Sequence, residues 1–497
     1  MDRLAFEHHL TSPQGHGRVP EDGFTVDVGG GACCDRIRFS IATDGERVTD
    51  AGFEAEGCGS ATAAGSAAVT LARGRGLLEA ARIDARAIAE ELGGLSPGKL
   101  HAAELAADAL ARALGEAVRS RGELPPPASS GGRRATRTLV AMSGGVDSAV
   151  AALLCAQGGA TVAVTLELWS DAENDATRSC CSASAVAQAR ALAHGMGLAH
   201  FTIDLREEFR AGVVEPFIAG YAAGETPNPC VGCNGHVRLD AMLALAERLG
   251  CEELATGHYA RLAEADDHRG PLLRVAADAA KDQTYMLAAL EPESLARMRF
   301  PLGRLTKPEV RKLAAGAGLP VAAQADSQDL CFLAGTTRGR FLARHGGIGE
   351  RRGEVVDLSG RRLGEHRGQH LFTVGQRRGL GVSERVPLFV LDKQAEHNRV
   401  VVGPRTALRS SRVALRGVRL RREGARVDRV KLRYRSTPLP GRVIGSLGSG
   451  HHAQATVELE EPVDGAAPGQ LACLMDGDLV VGWGTIRRLH SVADDLR

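Results

Sequence analysis

Six residues, SGGVDS at Ser143–Ser148, lie between the apolar run TLVAM and the alanine-rich run AVAALLCAQ. A short apolar run that turns through glycines into a helical stretch reads as the strand-to-helix turn of a parallel sheet. Gly144 and Gly145 permit tight backbone geometry and close approach. The free N–H groups and the positive end of the following helix then face an anion. No lysine follows, so this is not the Walker pattern, and the glycine spacing is too short for a dinucleotide fingerprint. Further short apolar runs, ATVAVTLEL, HFTIDL and ELATG, alternate with helical stretches and predict a doubly wound α/β domain.

The loop resembles the pyrophosphate loop of the ATP pyrophosphatases. That resemblance implies ATP as substrate, with adenylation of an oxygen, release of pyrophosphate and displacement of AMP by a nucleophile. It places the ATP contacts at Ala141, Met142, Ser143, Gly144, Gly145, Val146, Asp147, Ser148, Leu166 and Gly257, with Asp147 helping to hold Mg2+. A glycine-rich turn that merely caps a helix is the bland reading, and the strand-loop-helix context favours ATP.

A chain of 497 residues is too long for one core and predicts a multi-domain protein. The stretch LPPPASSGG has no apolar periodicity and reads as a linker over residues 124–136. Before it, residues 1–123 form a small α+β domain, with a hairpin turning at Asp44-Gly45 and a mainly helical Ser60–Val118. After it come the α/β domain at 137–345, a small β-rich domain at 346–407 and a C-terminal β-barrel at 408–497. Strand-like runs GEVVDL, PLFVLD, NRVVVG, VKLRYR, AQATVELE and LVVGWGTI carry the β-rich part. No apolar run approaches the ~20 residues of a membrane span, and the N-terminus is polar, which places the chain in the cytoplasm, off the membrane.

Eleven cysteines in a reducing compartment suit metal ligation or sulfur chemistry better than disulfides. Cys230 and Cys233 lie in TPNPCVGCN, where two X-Pro bonds stiffen the approach, and Cys331 follows in DSQDLCFLAG. Three thiolates suit a cluster with one open iron. A catalytic pair, one thiol bearing a persulfide and the other releasing the sulfur as a disulfide, is the alternative. Cys155, Cys251 and Cys473 read as small buried hydrophobes, and Cys180 and Cys181, at a helix start, equally as thiols activated by the helix dipole or as ordinary helix-lining residues.

SGGVDS, TPNPCVGCN, ELATGHYAR, KDQTYML, DSQDLCF, FTVGQRRGLG and KLRYR occur in order, and together they resemble the tRNA-specific 2-thiouridylase family over about Thr136–Arg497. The resemblance implies activation of C2 of the wobble uridine by ATP and replacement of its oxygen by enzyme-bound sulfur. By motif, Cys233 corresponds to the thiol that attacks or holds the sulfur, and Cys331 to the one bearing the persulfide. Asn228, Pro229, Lys281, Asp282, Gln283, Arg433 and Tyr434 correspond to tRNA contacts. Many family members have aspartate where this chain has Cys230, which favours Cys230, Cys233 and Cys331 jointly holding a 4Fe-4S cluster. The partners implied are tRNA and a cysteine desulfurase or other sulfur donor, with no DNA.

GACCDRIRF, EGCGSATAAGSAAV and GKLHAAELAADAL resemble the U-type (NifU/IscU-like) iron-sulfur cluster scaffold proteins over about Gly23–Arg119. Cys33, Asp35, Cys58 and His101 fall at that family's ligand positions and imply zinc or a labile iron-sulfur cluster. Ala102 stands where the family has a third cysteine. The fusion suggests delivery of cluster or sulfur in cis, the linker raising the donor's effective concentration. Arg405–Arg435 reads as a basic face for tRNA phosphates or, equally, as a solvated strand face. Two other functions fit parts of the pattern: a sulfurtransferase acting on another nucleobase, and an iron-sulfur carrier with a regulatory ATPase domain. The KDQ and GQRRG segments argue against the first, and the intact phosphate loop against the second.

Overall fold

The computed structural model describes residues 3–29, 34–121, 136–171, 182–264, 270–326, 330–382 and 384–488. Cys33, Cys180, Cys181, most of the expected linker and the centre of DSQDLCF lie outside these residues.

The N-terminal unit is a three-stranded antiparallel sheet, Phe24–Gly29, Arg36–Thr43 and Val48–Glu56, covered by helices Gly59–Ala72, Ala85–Glu91 and Leu100–Arg121. The hairpin turns at Asp44-Gly45 as its sequence requires, the Asp44 carboxylate accepting the Glu46 and Arg47 amides at 2.9 and 2.7 Å. The first strand and the Arg3–Thr11 helix have no clear signal in the sequence.

Five parallel strands follow, in the order Met298–Arg299, Glu253–Ala255, Arg137–Ala141, Ala160–Glu167, Ala199–Asp204. This is the expected doubly wound sheet, and the order reverses beside Arg137–Ala141, the strand that leads into SGGVDS. Ligands bind at such a switch point, outside the carboxyl ends of the strands.

The middle unit is a four-stranded sheet, in the order Arg362–His366, Gly353–Val356, Arg399–Pro404, Leu388–Gln394. In the C-terminal unit Arg409–Leu420 pairs with both Gly450–Asp464 and Leu479–Ile486, which closes a barrel. The hairpin Arg261–Ala263 and Leu272–Arg274 leaves the α/β unit and joins the barrel sheet, with Val480 opposite Leu273. The α/β and barrel units therefore share hydrogen-bonded strands.

The N-terminal unit is docked rather than tethered. Its long helix is alanine-rich, which allows close approach on more than one side, and it packs against both its own sheet and the edge strand Ala199–Asp204. At Gly115 a β-carbon would run into the Thr202 carbonyl oxygen, so glycine is what lets the helix lie on the strand. The edge strand's His200 amide donates to the Ala81 carbonyl at 3.0 Å. Arg112 forks onto the Glu167 carboxylate, Arg190 meets Asp108, and Arg119 reaches Glu208 and the Asp204 carbonyl. Burial pushes the Asp108 carboxyl up, but Arg190 and Arg112 outweigh it and hold the group below the ordinary carboxylate value. One apolar cluster runs from Phe39, Ala106 and Leu114 into Leu139, Val164 and Phe201. The two units share a core.

Candidate functional site

At the end of Arg137–Ala141 the chain turns through Gly144, whose φ of +77° requires glycine, into the Val146–Gly158 helix. Ser148 Oγ accepts the Ser143 amide at 3.1 Å and donates to the Gly145 carbonyl at 3.0 Å, which fixes the loop's curve. A β-carbon on Gly257 would stand 2.8 Å from the Ser148 amide nitrogen, so this glycine lets the next strand's end close on the loop. Ala141, Met142, Val146 and Leu166 are buried around the loop as packing residues that shape its floor.

The charged shell of the loop was not read from the sequence. Lys307 Nζ sits 2.7 Å from both oxygens of Asp147 and 2.9 Å from Asp326, and Tyr259 donates to Asp147 at 2.8 Å. Burial works to raise Asp326, but hydrogen bonds from Lys281 and Lys307 hold its carboxyl down at about 2. Burial and the neighbouring Asp147 push the Tyr259 hydroxyl well above its ordinary value. Lys307 opens a helix behind a Thr306–Glu309 capping box, a recognisable signature that marks a helix start and says nothing of phosphate.

The expected RNA contacts divide. Lys281 Nζ lies 2.6 Å from Asp326, beside the Ser143–Ser148 loop. Asp282 is 5% exposed, accepts from Thr284 and the Ala276 amide, and pairs with buried Lys431 of the barrel at 3.1 Å. Asp282, expected as an RNA contact, thus bolts the α/β unit to the barrel in this structure. Gln283 accepts the Tyr259 amide at 3.0 Å. Arg433 is exposed and donates to the Gly465 carbonyl at 3.0 Å, and the Tyr434 ring lies 6.4 Å from that of Tyr285. Over Arg405–Arg435, read either as a basic face for RNA or as a solvated strand face, many arginines have acidic or carbonyl partners. Arg405, Arg412, Arg416 and Arg426 pair with Asp464, Glu458, Glu225 and Asp476, while Arg421 and Arg422 bond backbone carbonyls.

The cysteine loop is a short helix, Pro229–Gly232, that runs straight into a π-turn, Cys233–Arg238. Asn228 caps it, its side-chain oxygen accepting the Cys230 amide at 3.1 Å. A π-turn widens the helix by a residue and is common at functional sites. Cys230 is half-buried and Cys233 buried, while half-buried Cys331 opens a 3-10 turn packed against the same apolar cluster as Cys233. No disulfide forms among the described residues. Cys155, Cys251 and Cys473 are buried, and burial pushes their thiols up to about 11, 12 and 12.

Asp35, Cys58 and His101 bring their ligand atoms within 4.8 Å of one another, the one such group among the described residues. Cys58 Sγ is 3.3 Å from Asp35 Oδ2, as is His101 Nε2, while His101 Nδ1 lies 3.0 Å from the Gly98 carbonyl. A hydrogen bond from Nδ1 to that carbonyl leaves Nε2 as the ligating nitrogen. A β-carbon on Gly57, φ +130°, would strike the Asp35 carboxylate, so glycine there is what lets Asp35 turn inward. Burial works to raise Asp35, yet the Cys58 amide and thiol and His101 outweigh it and leave the carboxyl below its ordinary value. Ala102 is fully buried in the helix beside His101. Cys230, Cys233 and Cys331 are not within such close reach, and thiolates on separate irons of a cluster need not be.

Residues 5–121 match the NifU-like N terminal domain, and 136–335 the tRNA methyl transferase HUP domain. Residues 339–404 match the tRNA methyl transferase PRC-barrel domain, and 418–486 the aminomethyltransferase beta-barrel domain. The bifunctional protein NifU/MnmA of Rubrobacter xylanophilus is 44% identical over 490 residues, which cover 97% of each chain. The chain belongs to the bifunctional NifU/MnmA family. The tRNA-specific 2-thiouridylase MnmA of Methylorubrum extorquens is 44% identical over 72% of this chain and 95% of its own. That of Geobacter metallireducens is 41% identical over 70% and 96%. The MnmA part of this family member thus begins at the parallel sheet, and the NifU-like part ends with the helix that packs on it. Among solved structures, a NifU-like protein from Brucella abortus aligns with 21% of this chain and 75% of its own, at 21% identity and a TM-score of 0.15.

Proposed function

We propose that this chain thiolates C2 of the wobble uridine of tRNA at the expense of ATP. The observation that carries the reading is the pairing of a phosphate loop at the switch point of the sheet with a capped, Pro-stiffened cysteine loop in the same unit. The uridine O2 attacks the α-phosphorus of ATP and pyrophosphate leaves. A sulfur nucleophile then adds at C2, and AMP departs with the original oxygen. Amides of Ser143–Ser148 bind phosphate, Asp147 would hold Mg2+, which would supply charge neutralisation at the phosphates, and Lys307, paired with Asp147, adds positive charge beside the loop. Asn228 and Pro229 border the pocket for the everted base, and Lys281, Gln283, Arg433 and Tyr434 line the approach for RNA.

Cys233 is assigned to sulfur transfer with Cys331. Three thiols suit a 4Fe-4S cluster, which would be held by Cys230, Cys233 and Cys331 and would supply an open iron for sulfide. In the NifU-like unit Asp35, Cys58 and His101, with Cys33, form a mixed N/O/S site for zinc or a labile cluster, and the mutual hydrogen bonds of the three described ligands support it. A cysteine desulfurase is the proposed sulfur source.

The chemistry is tested by incubating the enzyme with ATP, sulfide and unmodified tRNA and following nucleotides by chromatography. One AMP and one pyrophosphate per 2-thiouridine, with neither formed when tRNA is left out, is the expected result. ADP and phosphate as products, or AMP formed without tRNA, would rule out adenylation of the base.

A further inference from the structure

The residues just ahead of the cysteine loop are gripped by two other parts of the molecule. Glu225 receives a bidentate pair from Arg416 of the barrel at 2.7 and 2.8 Å. The Thr226 amide donates to the Pro468 carbonyl at 2.8 Å, and Gln470 returns a bond to the Thr226 carbonyl. Gly469, at φ +89°, is so close that a β-carbon would stand 3.0 Å from Glu225 and 3.1 Å from the Thr226 amide. From the middle unit, Lys393 Nζ donates to the Glu225 carbonyl at 3.0 Å and lies 3.4 Å from Thr226 Oγ1. Gln369 donates to the Tyr221 carbonyl at 3.1 Å, and Arg338 to the Tyr221 hydroxyl at 3.3 Å.

Lys393 is the unusual member. It is 1% exposed, and its amine ends on a backbone carbonyl and a hydroxyl, with the Tyr221 ring 5.5 Å away. Taking an ammonium out of water costs several kcal/mol, and neutral acceptors do not repay it as a carboxylate would. Burial, reinforced by Arg338 and Arg488, brings the amine down to about 7. A methionine would fill the same space at no such cost, so what the lysine supplies is the directed bond to Glu225.

We infer that Glu225–Pro227 is a strut by which the middle and barrel units set the position of the cysteine loop, with Lys393 as its positioning residue. The inference rests on reading Cys233 as the sulfur-handling thiol. Three residues separate Glu225 from Pro229, and Pro227 and Pro229 stiffen that connection, so a shift at Glu225 is carried to the first turn of the loop. RNA seated on the barrel would act on the thiols by the same route.

The test uses the full chain and two variants, Lys393→Met and Arg416→Ala. Three quantities are read: kcat, KM for tRNA, and the rate at which iodoacetamide labels the peptide carrying Cys230 and Cys233. Lys393→Met is expected to lower kcat about 10- to 100-fold, the cost of a small misplacement of reacting groups. KM for tRNA should stay within about twofold, and the labelling rate should change severalfold. Arg416→Ala should shift kcat and labelling in the same direction by up to about fivefold, the size of an exposed ion pair. A folded Lys393→Met chain with the parent's kcat and labelling rate would overturn the strut. Should that variant not fold, Arg416→Ala decides alone, and its identity with the parent in both readouts would overturn it. A parent chain that makes no 2-thiouridine undoes the functional reading, yet the labelling comparison still tests the strut by itself.

Discussion

At Gly57 a single hydrogen atom decides whether Asp35 can turn toward Cys58 and His101, because any side chain there strikes the Asp35 carboxylate. Gly57→Ala is expected to cost ~1–3 kcal/mol in backbone strain and to lower zinc affinity of the NifU-like unit. Zinc titration of the variant checks this, and parent-like affinity would contradict it. In the MnmA part, Cys233→Ala and Cys331→Ala should abolish 2-thiouridine formation, whereas Cys230→Asp should lose cluster absorbance and keep persulfide-dependent activity. Full activity in either alanine variant would remove that residue from the site. The glycine turn from strand to helix at Ser143–Ser148 was legible from a local pattern of residue type and spacing, and the Asp35, Cys58 and His101 group from its likeness to the scaffold family. Lys307, Asp326 and Lys393 were not, since each meets its partner across a separation that no local pattern records. Asp282 has a local motif, but its partner, Lys431, lies 149 residues away and takes it into the interior, which the motif did not show.

The Leu100–Arg121 helix is one element serving two sheets, and its alanines and Gly115 make that possible. Gly115→Leu should force it off the Ala199–Asp204 strand at ~1–3 kcal/mol or more, splitting one thermal unfolding transition into two by calorimetry. A single transition at the parent's temperature would contradict the shared core. The same interface buries His200, whose charged form is disfavoured by burial, then by Arg190 and His194. With its folded pKa depressed, His200 takes up a proton on exposure, so its contribution is present above about pH 6.5 and is lost as pH falls below that value. Unfolding measured from pH 8 to 5 should show this loss, and His200→Phe should reduce it. Most strands of both sheets, though not Phe24–Gly29 or Met298–Arg299, were readable from their sequence runs, but the docking was not. The helix meets its second partner through Asp108, Arg112 and Arg119, charged residues that read in the sequence as a solvated face.

Across the whole molecule, four units are joined by polar bolts as well as by apolar contact. Lys431–Asp282 and the Arg261–Arg274 hairpin fix the barrel to the α/β unit, while Lys393 and Gln369 fix the middle unit. The order of the units and the change of texture near Gly353 were visible in the sequence. The sharing of strands and helices between them was not, because a linker-like composition reports chain exposure and carries no information on contact. No helix among the described residues is long and apolar enough to cross a membrane. The account turns on sulfur reaching tRNA through this chain, and the most direct measurement is mass spectrometry of tRNA nucleosides. Unmodified tRNA, ATP and sulfide would be incubated anaerobically with the full chain, with and without reconstituted cluster. The account predicts 2-thiouridine at the wobble position, dependent on ATP and on Cys233, and formed from sulfide only when cluster is present. Absence of 2-thiouridine under every condition, with a persulfide donor included, would contradict it.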